Sequence, residues 1–92
     1  MREDELILQV TLRYQELLSA EKILLISSQK KNTLMLQYQM AEKSFNQGNL
    51  SIEELARVTE LAGVAETGFI QARQSVETVY TQLMSLVGIK NP

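Results

Sequence analysis

The chain has no cysteine, no histidine and no tryptophan, and its single proline is the last residue, Pro92. Without cysteine there is neither a disulfide framework nor a thiolate metal site, an absence compatible with either cytoplasm or periplasm. Without histidine the commonest general base and the commonest transition-metal ligand are both missing, so most enzyme classes lose their usual tools. Charge of one sign is missing as well. Nine Lys or Arg stand against eleven Asp or Glu, spread along the chain, so no basic stripe offers itself to nucleic acid. The longest unbroken apolar run, Ile23-Leu24-Leu25-Ile26, is far short of the roughly 20 residues a helix needs to cross a bilayer. The start, Met1-Arg2-Glu3-Asp4-Glu5, is acidic and lacks the basic start and clean apolar stretch of a signal peptide.

What is present is helix-forming sequence. The chain has 92 residues, 45% of them hydrophobic, enough for one small domain. The first strong break falls at Gln47-Gly48-Asn49, and just beyond it Ser51-Ile52-Glu53-Glu54 has the form of a capping box, a helix-start signal. Gly88 suits the left-handed position that follows a helix, and Lys90-Asn91-Pro92 is a stop. The reading is a first helix over about residues 4–47, a turn at 48–51 and a second helix over about 52–87.

Alternate steps of three and four through the second segment give Leu55, Val58, Ala62, Ala65, Phe69, Ala72, Val76, Val79, Leu83 and Leu86, with no polar residue in the series. Only a heptad-like repeat keeps so narrow a stripe apolar over so many turns, and it marks a coiled-coil seam. The first segment gives Leu6, Val10, Arg13, Leu17, Ala20, Leu24, Ser27, Lys31, Leu34, Tyr38, Ala41 and Phe45, a seam interrupted at Arg13, Ser27 and Lys31. Folding back at Gly48 pairs residues whose numbers sum to about 99 or 100, which sets Phe45 against Leu55, Tyr38 against Ala62, Leu24 against Val76 and Leu17 against Leu83. The expected fold is therefore all-α: a long antiparallel two-helix coiled-coil hairpin whose arms run roughly 50 to 65 Å at 1.5 Å per residue. In this register Lys31 meets Phe69, where its alkyl stem would cover the ring. A helix break over Ser27–Thr33 is the alternative there.

The first helix also carries Leu18, Leu25, Ile26, Met35, Leu36 and Met40 outside its seam, more than one partner helix can cover. Self-association into a bundle of four or more helices, or membership of a larger assembly, is the expectation. Gly63 and Gly68 each cost a helix interior about 1 kcal/mol, so either a neighbouring helix approaches closely there or a strong helix tolerates them. Tyr14, Tyr38 and Tyr80 do not alternate with basic residues and read as packing residues. The carboxylates at Glu3–Glu5 and at Glu53 and Glu54 read as helix-start clusters favoured by the helix dipole, with no catalytic or metal role. Gly48 is followed by neither another glycine nor a Lys-Ser/Thr pair, so no phosphate loop is present and no cofactor is expected.

The stretch Ala41-Glu42-Lys43-Ser44-Phe45-Asn46-Gln47-Gly48-Asn49-Leu50-Ser51-Ile52-Glu53-Glu54-Leu55-Ala56, with Glu60-Leu61-Ala62, Phe69-Ile70-Gln71-Ala72 and Leu83-Met84-Ser85-Leu86-Val87-Gly88, resembles the repeat unit of the outer-membrane efflux protein family typified by TolC. The resemblance spans about residues 10–88. It implies one hairpin of the periplasmic α-helical barrel of an efflux or type I secretion duct, without membrane insertion by this segment. The tip, Gly48, Asn49, Leu50 and Ser51, would then face a periplasmic adaptor protein. It also places Glu54 where members of that family carry an aperture carboxylate, although Arg57, one turn on, is not the second acidic residue some members have. Members of that family carry two hairpins and membrane-entering strands, and this sequence shows one hairpin and no strand-like alternation. The chain is thus expected to be a piece of a larger efflux protein or a small free-standing relative. The alternative is a free-standing helical-hairpin interaction protein of the WXG type, against which the absence of tryptophan counts.

Overall fold

The computed structural model describes residues 2–90, excluding the side chains of the last two. Two helices fill it: α1, Glu3–Asn46, and α2, Ile52–Lys90. They run antiparallel along a rod of 67 × 18 × 15 Å, close to the roughly 66 Å that 44 helical residues span at 1.5 Å each. The expected hairpin is what forms, with the first helix displaced by one residue at each end.

The seam is where the repeat puts it. Every one of the ten stripe residues on α2 and all twelve on α1 are buried or half-buried, and Leu6, Leu17, Ala62, Ala65, Ala72 and Leu83 are the buried core. Three of these six are alanines on α2, where a small side chain lets the opposite helix come close enough for larger residues to fill the gap. Register is visible directly at the middle of the rod, where Lys31 Nζ lies 4.5 Å from the centroid of the Phe69 ring. The expectation that the alkyl stem covers the ring needs correcting: the ammonium itself sits over the π face. Arg73 approaches the same ring at 5.9 Å, and such contacts stabilise by about 0.5–1 kcal/mol where exposed. A cation in the seam is thus accommodated without a break, and α1 continues helical through Ser27–Thr33.

Two further expectations are revised, and one open alternative is decided for the hairpin itself. The second helix does not stop at Val87 but runs through Gly88 to Lys90. The left-handed cap expected at Gly88 requires positive φ, and among the described residues Gly48 alone has it. The stop assigned to Asn91 and Pro92 lies outside the described residues. Close approach of α1 to Gly63 and Gly68 does not occur, since a Cβ at either would meet nothing within 4 Å. Tyr14 and Tyr80 are 53% exposed, because they flank the seam; only Tyr38 lies in it. Glu42, one turn beyond Tyr38, hydrogen-bonds the neutral hydroxyl as acceptor and repels the phenolate, so the phenol titrates above its ordinary value.

Candidate functional site

The tip is built by two caps placed back to back. Gln47 ends α1 in a right-handed conformation, and Gly48 follows with φ 79°. The Gly48 amide donates to Phe45 O and the Asn49 amide to Ser44 O, both at 2.9 Å. These two bonds make a Schellman motif, which satisfies carbonyls that a helix end otherwise leaves unpaired. Ser51 then opens α2: the Glu54 amide donates to its Oγ at 3.2 Å and the Leu55 amide to its carbonyl at 3.0 Å. The forward half of the capping box is therefore made. The return bond from the Ser51 amide to the Glu54 carboxylate is not formed among the described residues, and Glu54 instead lines a groove between the helices.

That groove is bounded by Met40, Ala41, Ser44, Leu50, Glu54, Arg57 and Val58. Of the five tip residues expected from sequence, Leu50 and Glu54 reach it, while Gly48, Asn49 and Ser51 stand exposed at the end of the rod. Sequence reasoning missed Met40, Ala41 and Ser44 as part of this surface, although the folded-back register sets Ala41 beside Val58 and so carried the signal. Arg57 is exposed at the groove, where it sets a positive charge near that of Glu54. Among the described residues the only ion pair is Arg13–Glu16 at 3.0 Å, exposed and contributing at most about 1 kcal/mol. Glu54 and Arg57 are therefore free to meet charges on another molecule.

The Gly48 and Asn49 amides tie the tip back to α1, and its surface is shaped for contact: two exposed polar residues, a half-covered leucine and a shallow groove with one charge of each sign. Among the described residues no three carboxylates converge, and no helix is long and apolar enough to cross a membrane. Gly48→Ala is expected to cost about 1 kcal/mol. The cost is backbone strain alone, since the new Cβ would have open space, and a urea titration of far-UV ellipticity reads it. An unchanged midpoint would mean that the turn does not need the left-handed residue.

A second surface lies away from the tip. Among the described residues, ten large apolar side chains on α1 and seven on α2 are exposed, with Leu25 at 59% and Met40 at 63% among the most open. On α1 they occupy all sides, and a helix apolar all round is one that other elements bury. Comparison with protein-family models, curated proteins and solved structures finds no match to this chain.

Proposed function

We propose that this chain is a non-catalytic helical hairpin that builds part of a larger helical assembly and offers its tip to a partner. In the form implied by its resemblance to the TolC-like outer-membrane efflux proteins, the assembly is the periplasmic wall of an efflux or type I secretion duct, and the partner is a periplasmic adaptor. The observation that carries the reading is the apolar surface left over once the seam is closed. The seam uses the alanine-spaced stripe of α2, yet among the described residues seventeen large apolar side chains stay exposed along the rod, as expected of a wall element whose neighbours supply the rest of its packing. The tip supports the second half of the reading, since Gly48, Asn49 and Ser51 are exposed on a hydrogen-bonded turn.

The test is site-specific photocrosslinking from position 49 in cells that export through such a duct. An adduct with an adaptor protein, weakened by Glu54→Arg, is the expected result. Failure to trap any adaptor in an export-competent strain would remove tip docking.

A further inference from the structure

The open-end surface has a definite layout. A groove lined by Leu6, Ile7, Val10, Thr11, Leu86 and Val87 shows that Ile7 and Val87 border the seam on the same side. Following that flank by steps of three and four adds Tyr14, Leu18 and Leu25 on α1, and Met84, Tyr80 and Ile70 on α2, all exposed. Eight large apolar residues therefore share this flank; Ile7, Tyr14, Leu18, Tyr80, Met84 and Val87 lie in the half of the rod opposite the tip, and Glu21, Arg73 and Glu77 separate them from Leu25 and Ile70 near its middle.

We infer that in the free chain this face is covered by a second copy of the same chain running in the opposite direction, the two-fold axis passing between Tyr14 and Leu18. The inference rests on the reading of the chain as a hairpin completed by other helices, and concerns the state of the chain outside any duct. Area is the first argument. The folded chain exposes 6942 Å², whereas a monomeric domain of 10.4 kDa exposes about 5400 Å² by surface-to-mass scaling. The excess of about 1500 Å² exceeds the roughly 800 Å² per partner that a standard interface removes.

Charge chooses the second copy and its direction. Near the middle of the rod, Lys31 and Arg73 share the Phe69 ring, and no carboxylate pairs with either among the described residues. At the open end Glu3 and Asp4 stand in the first turn of α1, likewise without an ion-pair partner. The acidic end and the basic belt lie at about equal distances, roughly 20 Å, on either side of the level of Tyr14 and Leu18. A two-fold axis through that level brings Glu3 and Asp4 of each copy to Lys31 and Arg73 of the other. A parallel two-fold pair would instead set each basic belt against its own copy, and would do the same for Glu21 and Glu77. One isologous contact thus covers the apolar face and sets the acidic pair Glu3 and Asp4 of each copy against Lys31 and Arg73 of the other, while leaving both tips free at opposite ends.

The chain has no cysteine, so single-cysteine variants report without background. Light scattering at about 50 μM should give twice 10.4 kDa. Small-angle scattering should give a maximum dimension of about 95 Å, against 67 Å for hairpins lying side by side with tips together. Asp4→Arg and Arg73→Asp should each weaken pairing about tenfold, and the double variant should restore it to within about threefold. Leu18→Glu should abolish the dimer, and the charge-swap pair keeps the test valid if that variant loses its helix. A dimer of about 67 Å whose Asn49→Cys variant forms a tip-to-tip disulfide would overturn the opposed pairing while leaving the wall reading in place. A monomer at 50 μM would overturn self-association itself. Single variants without effect, or a double variant no better than either, would overturn the charge pairing that sets the direction.

Discussion

Truncating Leu17 and Leu83 together to alanine should abolish cooperative unfolding of the hairpin. Both are 7% exposed and face one another in the register that places Lys31 over Phe69. Each truncation of a buried leucine removes about 2–5 kcal/mol, and less-than-additive coupling between neighbours still leaves a loss of about 4 kcal/mol or more. A two-helix rod has no central core and little stability in excess of that. Far-UV ellipticity at fixed chain concentration should fall well below the parent value at 25 °C, without a sharp thermal transition. Leu36→Ala is the control: at 58% exposure it should change the stability of the hairpin by less than about 0.5 kcal/mol. If the double variant melted like the parent, the seam would not be what holds the rod together.

Gly63→Ala combined with Gly68→Ala should move stability the other way. Both glycines lie within α2 and neither has positive φ, so each carries the helix-interior penalty of about 1 kcal/mol relative to alanine. A Cβ at either position meets nothing within 4 Å, so no overpacking offsets the gain. The double variant should be more stable by about 1–2 kcal/mol, read as a raised urea midpoint at unchanged slope. The measurement also bears on assembly. A loss in place of the gain would show that another chain packs against the bare backbone, the close approach that the hairpin by itself does not use.

These two glycines and Gly48 show where reading a sequence stops. All three have open space where an alanine would carry its Cβ, and composition does not tell them apart. Only φ at Gly48 makes alanine costly there and beneficial at the other two. Turn chemistry gives Gly88 the same capping role on α2 that Gly48 has on α1, yet the helix passes through it. At Gly48 the following chain must reverse and pack its apolar stripe back on α1, which rewards the left-handed turn. At Gly88 no such return exists within the described residues, and helical hydrogen bonding wins.

The candidate site is legible in part. Gly48, Asn49, Leu50 and Ser51 can be picked out because turn chemistry is local: a lone glycine followed by a serine cap is readable in one dimension. The groove beside them cannot, because Met40, Ala41, Ser44, Arg57 and Val58 come together only when the helices are laid side by side. The capping-box pattern gives Glu54 a reciprocal cap, yet its side chain lines the groove, where the first helix lies within its reach.

What the sequence alone determined is the hairpin and its seam. Every stripe residue from Leu6 to Phe45 and from Leu55 to Leu86 is withdrawn from solvent, since a 3.5-residue apolar repeat has only one face to bury and the turn at Gly48 leaves only one partner to bury it against. What only the tertiary structure decided is where that burial runs out. One helix can cover one stripe of another, so Ile7, Tyr14, Leu18 and Leu25 remain outside with Tyr80 and Met84. Their adjacency across two helices makes them a surface, and adjacency of that kind depends on the register and rotation of the packed pair.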